Sequence, residues 1–137
     1  MRKVFLDTNI IVDLISDRKP FSKYAIEIFQ NAEDGKIKLF TSSHSMATTH
    51  YLLKKYMEEK DLRDVLHNLL DYLTIIAVDV DIIKKGLRSS HKDFEDSIQI
   101  YCASSIENID SIITRNVKDF KGSEIKILTP DELSLTL

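Results

Sequence analysis

Acidic and amide side chains directly follow two apolar segments of this chain. Asp7 comes after Val4-Phe5-Leu6, and Asn116 and Asp119 come shortly after Ser111-Ile112-Ile113-Thr114. Carboxylates that meet without basic partners repel one another, so such a cluster is stable only with a cation bound or with some groups protonated. Mg²⁺ and Mn²⁺ prefer oxygen ligands. These residue types therefore predict a divalent-cation site if folding brings them together.

A third acid, Asp96, lies in the first turn of the helix predicted to lead into the 111–114 segment. Ligands of open parallel sheets bind at the carboxyl ends of the strands. If the first and fourth strands are neighbours, Asp7, Asp96 and Asp119 converge at that edge. Each acid also has a purely structural interpretation: Asp7 as a helix cap, Asp96 as a first-turn acid favoured by the helix dipole, and Asp119 as a loop residue.

Strand-like and helix-like segments alternate along the chain. Short apolar runs indicate strands buried on both faces, and apolar residues spaced three or four apart indicate helices. This alternation predicts one domain, residues 1–137, with an α/β/α sandwich fold and a mainly parallel sheet of about five short strands. The strands are predicted near 4–6, 37–40, 74–78, 111–114 and 125–128. The helices are predicted near 10–15, 22–34, 45–56, 62–73, 79–88, 93–107 and 129–133, with Asn9 as the cap of the first.

The composition excludes several classes of protein. The 137 residues are 43% hydrophobic, which argues against intrinsic disorder, and the net charge of −3 excludes a globally basic nucleic-acid-binding surface. The single cysteine, Cys102, excludes an internal disulfide and a cysteine-built zinc site. No run is long enough for a signal peptide or a membrane span. A soluble protein of a reducing compartment, the cytoplasm, is expected.

Three segments together resemble the PIN-domain family of metal-dependent ribonucleases. They are Phe5–Asn9, Asp93–Gln99 with Ala103 beyond it, and Ile112–Phe120. Their order and separations match the family over essentially the whole chain. The resemblance implies that Asp7, Asp96 and Asp119 are the catalytic carboxylates, binding Mg²⁺ or Mn²⁺. It further implies hydrolysis of RNA by the toxin component of a toxin–antitoxin pair, with an antitoxin protein as a partner and a homodimer as the assembly.

The resemblance also assigns roles to polar neighbours of these acids. RNA binding needs local positive charge, and the candidates are Lys54-Lys55, Lys84-Lys85 with Arg88, and Arg115 with Lys118 and Lys121. Arg115 and Lys118 are favoured because they flank the proposed metal loop, and an ordinary solvated surface is the alternative interpretation. No histidine shows zinc-ligand spacing, and none is given a catalytic role. The side chains expected to orient ligands or water are Thr8, Asn9, Thr48, Glu95, Thr114 and Asn116.

One departure from the family pattern opens an alternative. The family usually has a glutamate on the helix after the second strand, where this chain has Thr48, and no acid occurs between Asp34 and Glu58. Glu95 is a candidate for partial compensation. The missing acid leaves open a PIN-fold binding or regulatory module with weak or no catalysis. A phosphatase of the haloacid-dehalogenase type is disfavoured because it needs an Asp where Asn9 stands.

Overall fold

A computed structural model describes the chain over residues 1–137. It has five strands, seven α-helices and a short 3-10 helix at Val117–Phe120. The strands are β1 Arg2–Leu6, β2 Ile37–Ser42, β3 Leu73–Ile76, β4 Ser111–Ile113 and β5 Lys126–Leu128. The helices are α1 Thr8–Ser16, α2 Ser22–Glu33, α3 Ser43–Leu53, α4 Glu59–Leu69, α5 Val80–Arg88, α6 Phe94–Ser104 and α7 Pro130–Ser134.

The five strands form one parallel sheet in the order β3-β2-β1-β4-β5. The chain builds outward from β1 through β2 to β3, then returns to add β4 and β5 on the other side of β1. The strand order therefore reverses between β1 and β4, and a crevice opens at the carboxyl ends of strands where such a reversal occurs. The register pairs Leu6 with Ile113, so the residues after both strands emerge side by side.

Two apolar layers cover the two faces of this sheet. One core contains Leu6, Ile11 and Ile28 and joins β1 to α1 and α2. The other contains Phe5 and Ile112, on the opposite faces of the same strands, together with Cys102 of α6. Because successive strand residues point to opposite faces, the continuous run Val4-Phe5-Leu6 serves both layers. These layers confirm the predicted α/β/α sandwich.

The first helix begins earlier than the sequence pattern predicts, and Asp7 rather than Asn9 is its cap. The Asp7 backbone is extended, with φ −69° and ψ 158°, and its Oδ1 accepts a hydrogen bond from the backbone N–H of Thr8 at 2.8 Å. A carboxylate cap satisfies a free N–H and complements the positive end of the helix dipole. The structural and functional interpretations of Asp7 are thus compatible.

The predicted 62–73 helix ends at Leu69, and β3 begins at Leu73 rather than at residue 74. Leu69 and Leu73 both belong to the core that contains Leu6. The apolar spacing therefore continues past the end of the helix, because residues of the helix and of the strand fill the same core layer. For that reason the periodicity does not show where the helix ends and the strand begins. None of the helices combines the length and apolar character needed to cross a membrane.

Candidate functional site

The pairing of β1 with β4 places Asp7 beside Thr114. The backbone N–H of Asp7 donates to the carbonyl of Ile113 at 3.0 Å, which continues the parallel ladder by one residue. The Thr114 hydroxyl, which is fully buried, donates to Asp7 Oδ2 at 2.8 Å. Two residues 107 positions apart are thus in contact because their strands are neighbours at the point where the strand order reverses.

Several further donors orient the Asp7 carboxylate. Gln99 Nε2 donates to Oδ1 at 3.3 Å, and Asn9 Nδ2 donates to Oδ2 at 3.3 Å. Together with the hydrogen bonds from Thr8 and Thr114, these bonds give both oxygens of Asp7 at least one donor. The residue is only 9% exposed, so these donors replace most of the water it would otherwise contact. A charged side chain held this way keeps one orientation, as a metal ligand requires.

Gln99 also belongs to a buried polar network. Its Nε2 lies 2.5 Å from Ser45 Oγ, and its Oε1 accepts a hydrogen bond from Ser42 Oγ at 2.6 Å. Ser45 Oγ in turn lies 2.8 Å from Thr8 Oγ1. The network joins α1, α3 and α6 beneath Asp7. Sequence reasoning did not identify Gln99, although it follows Asp96 by three residues and so occupies the same face of α6.

Burial and mutual repulsion disfavour the charged forms of the two acids. Burial raises the pKa of Asp7 above its ordinary value, and the negative charge of Asp119 raises it further. Hydrogen bonds from Thr114, Gln99 and Thr8 lower the pKa but do not cancel the effect of burial. Burial also raises the pKa of Asp96 to about 7, reinforced by the negative charges of Asp93, Asp7, Asp119 and Glu95. The predicted acids therefore repel one another electrostatically, and a bound cation would relieve that repulsion.

This set of donors fits a divalent cation. None of the ion pairs in the molecule involves Asp7, Asp96 or Asp119. No three Asp, Glu, His or Cys side chains, however, are close enough to hold one ion together. The donor chemistry thus matches a cation that takes one or two protein carboxylates and completes its coordination with water, as Mg²⁺ does.

Asp7 and Asp96 line one cleft of about 300 Å³ at the carboxyl ends of the strands. Most of the predicted residues line it with them: Thr8, Asn9, Thr48, Glu95, Arg115 and Asn116. Thr48 is half-buried and Glu95 is exposed, so both side chains are available to a ligand. His44, to which sequence reasoning gave no role, also lines the cleft, and its Nε2 lies 3.5 Å from Thr48 Oγ1.

Asp119 and Lys118 lie in the 3-10 helix and line a second cleft instead, which shares Asp96 with the first. Asp119 is exposed, and its backbone N–H donates to the carbonyl of Asn116 at 3.0 Å. Asn116 in turn donates its backbone N–H to Thr114 Oγ1 at 3.0 Å. This loop is therefore anchored to the hydroxyl that holds Asp7.

The guanidinium group of Arg115 is already paired. Arg115 Nε donates to Asp13 Oδ2 at 2.7 Å and Nη2 donates to Asp13 Oδ1 at 3.2 Å, and the guanidinium carbon lies 4.2 Å from the centre of the Phe21 ring. Asp13 is 1% exposed, and the Arg115 side chain 21%. The charge expected at this position for RNA is thus neutralised by Asp13, and only the remaining N–H groups are free for a phosphate.

Known proteins share both the sequence and the fold of this chain. The family model described as "PIN domain" matches residues 3–118. Ribonuclease VapC1 of Aquifex aeolicus (strain VF5) is 31% identical over 135 residues, which is 95% of this chain and 92% of that protein.

Solved structures agree with this assignment. A toxin–antitoxin complex from Klebsiella pneumoniae has a chain that is 28% identical, with a TM-score of 0.66, covering 93% of this chain and 97% of that one. VapBC2 from Rickettsia felis, bound to a DNA fragment from its promoter, shares the fold with the same TM-score of 0.66 at 20% identity, covering 93% and 98% of the two chains. The family match spans most of the chain, and the chain belongs to the PIN domain family.

Proposed function

We propose that this protein is a metal-dependent ribonuclease that hydrolyses phosphodiester bonds of RNA, as the toxin of a toxin–antitoxin pair. Its homology to ribonuclease VapC1 supports this reaction. The observation that carries the proposal is the pair of Asp7 and Asp96, which line one cleft where the strand order reverses and form no ion pair there. Ribonucleases of this family generally depend on a divalent metal ion.

In this proposal Asp7 and Asp96 would hold Mg²⁺ or Mn²⁺, and Asp119, which lines the adjoining cleft, would add negative charge beside them. When bound, the cation supplies Lewis acidity, which lowers the pKa of water and stabilises charge on the phosphate. Thr114, Gln99 and Asn9 keep the Asp7 oxygens oriented through their hydrogen bonds. No nucleophilic side chain is needed, and Cys102 is buried in the core with its pKa raised by burial to about 11.

The first test is removal of the metal. The purified protein should cleave single-stranded RNA with Mg²⁺ or Mn²⁺ present, lose that activity in EDTA, and regain it when excess cation is restored. Calorimetric titration with each cation measures binding separately from cleavage. If neither cation binds, the ribonuclease proposal is contradicted and the alternative of a non-catalytic PIN module is favoured.

The missing family glutamate permits a gain-of-function experiment. Thr48 lines the cleft and is half-buried, so Thr48→Glu adds a carboxylate beside the proposed cation. We expect cation affinity to rise about tenfold, because affinity in such sites follows the number of charged ligands. Titration calorimetry measures the change.

Ala47→Glu is the matched control, because Ala47 is exposed on the same helix and does not line the cleft. It adds the same charge and should leave cation affinity nearly unchanged. Equal effects of the two substitutions would show that the cleft does not select the cation.

An antitoxin protein as partner accords with the toxin–antitoxin complexes among the structural relatives. A groove that adjoins the candidate cleft is lined by the exposed apolar side chains of Tyr51, Leu52 and Tyr56. This groove offers the antitoxin a surface to bind. For the proposed homodimer, part of the apolar surface of α3 and α4 is not available. Leu53 and Leu69 are buried in the monomer and belong to its core.

A further inference from the structure

A second cleft, of about 710 Å³, adjoins the candidate site and shares Asp96 with it. It lies between the segment before α6 and the 3-10 helix. Its basic lining consists of Lys92, Lys118 and Lys121, with His91 beside them. We call it the lysine cleft. Lys92 drew no attention in the sequence, because it is isolated there from the other two by more than twenty residues.

The three ammonium groups of the lysine cleft have no partners. None of them takes part in an ion pair, although Asp93, Asp96 and Asp119 line the same cleft. None donates a side-chain hydrogen bond to another group, whereas Lys3 Nζ donates to a backbone carbonyl at 2.7 Å. Free, exposed ammonium groups beside a hydrolytic site are available to an anionic ligand.

Lys118 and Lys121 lie on the same short loop. Lys118 and Lys121 lie one turn apart, and the N–H of Lys121 donates to the carbonyl of Lys118 at 3.4 Å. Gly122 follows with φ +89°, in the region that glycine adopts without strain, and the chain turns there. The two side chains therefore sit on the loop that also contains Asp119.

An anionic strand needs positive charge near this site. The candidate cleft is lined by three acids, Asp7, Glu95 and Asp96, and by two arginines: Arg115, whose charge is neutralised by Asp13, and Arg18, which is exposed and forms no ion pair. The lysine cleft is the adjoining surface where three ammonium groups form no ion pair, although Asp93, Asp96 and Asp119 balance their charge within the same lining. Phosphate groups spaced along a single strand match separate ammonium groups better than one compact anion does.

We propose that Lys92, Lys118 and Lys121 form a binding subsite for the backbone phosphates of RNA, which guides the strand across Asp96 into the catalytic cleft. The subsite rests on the proposed ribonuclease function, because it names how the same substrate is held. It extends that function by assigning Lys92 a role beside Lys118 and Lys121 and by giving the strand a direction of approach along one side of the molecule.

The test measures binding without cleavage. The Asp96→Asn protein is titrated against a fluorescent ten-nucleotide single-stranded RNA, followed by anisotropy at several salt concentrations with Mg²⁺ present. The same titration is done after adding Lys92→Gln, Lys118→Gln and Lys121→Gln together. Each phosphate contact contributes about 0.7 to the slope of log affinity against log salt, so we expect the slope to fall by about 2. Affinity at low salt should fall at least about tenfold.

The controls separate position from net charge. Lys36→Gln, Lys38→Gln and Lys126→Gln together remove the same charge from exposed lysines that line neither the lysine cleft nor the candidate cleft, and they should change the slope little. Replacing the three cleft lysines by arginine should keep it. Three results would overturn the subsite. They are an equal loss of affinity in both glutamine triples, a salt slope that the cleft triple leaves unchanged, and no RNA binding by the Asp96→Asn protein.

The outcome is also distinguishable from that of the proposed function. Wild-type cleavage of RNA with an unchanged salt slope would leave the ribonuclease standing and remove the subsite. A slope that falls only for the cleft triple, in a protein that cleaves no RNA, would keep the phosphate subsite and contradict hydrolysis. Circular dichroism and melting of each triple confirm that these exposed substitutions leave the fold intact.

Discussion

Asp96→Asn should abolish metal-dependent RNA cleavage and, in the metal-free protein above pH 7, raise the melting temperature. The loss of activity should exceed about 100-fold, because even a residue that only supports a metal ligand costs about 10- to 100-fold when it is removed. The gain in stability follows from electrostatics, because the substitution removes a negative charge held among Asp7, Asp93 and Asp119.

The pH dependence has a definite sign. The pKa of Asp96 is raised from 3.8 to about 7 in the folded protein, so the folded state binds its proton more tightly than the unfolded state. The metal-free wild type is therefore most stable below about pH 4 with respect to this group, and it loses that stability as the pH rises towards 7. Because the carboxyl is partly exposed, the cost is about 1 kcal/mol, or roughly 3 °C.

Melting curves from pH 4 to pH 8 in EDTA test this prediction. The difference between variant and wild type should be small near pH 4 and grow to its full size by pH 8. Added Mg²⁺ should stabilise the wild type and not the variant. Asp81→Asn is the control, since Asp81 is an exposed acid in the first turn of α5. A variant that is less stable than the wild type at pH 8 would contradict the argument.

Arg115→Ala should destabilise the protein by about 3 kcal/mol, the largest loss expected from any exposed or half-buried charge. Asp13 is 1% exposed, and its two oxygens are the ones that Arg115 binds. Removing the arginine leaves a buried carboxylate without a partner, and breaking such a pair costs about 3–5 kcal/mol. The value is at the lower end because 21% of the Arg115 side chain remains in contact with solvent.

Urea denaturation of Arg115→Ala, Asp13→Ala and the double variant measures this pair directly. The double variant should be less destabilised than the sum of the two single variants, because the cost of the unpaired charge disappears when both are absent. Arg63→Ala is the matched control: Arg63 pairs with Glu59 at 2.7 Å, but its side chain is 74% exposed. That loss should stay below about 1 kcal/mol. Equal losses for the two arginines would refute the buried pair.

The local chemistry of the chain was readable from its sequence. Short β-branched and apolar runs indicated every strand, because strands buried on both faces need apolar side chains at successive positions. The same pattern predicted Asp7 directly after the first run, and it placed Thr114 as the last residue of the fourth run, one residue beyond the end of β4 in the structure. The alternation of strands with helices predicted the parallel sheet, since parallel strands need crossover connections. The resemblance of three segments to one family was confirmed over residues 3–118.

The hydrogen-bond and ion-pair partners of the site residues could not be predicted from the sequence. Gln99, Ser42 and Ser45 form one buried network, yet they come from segments up to 57 residues apart. The position of Arg115 in the sequence predicts that it binds RNA. Its pairing with Asp13 depends instead on how α1 packs beside the end of β4. Lys92 becomes a neighbour of Lys118 only through the packing of α6 and the loop before it.

The order of strands and helices and the oxygen-bearing side chains at the strand ends could be predicted from the sequence. Those depend on interactions between residues close along the chain, such as strand propensity, helix periodicity and capping. The fold was needed to show that β1 lies beside β4 and that Asp7 and Asp96 line one cleft while Asp119 lines another. It was also needed to show which charges are paired. Those facts depend on contacts between distant residues, whose free energy is set by packing the whole core at once.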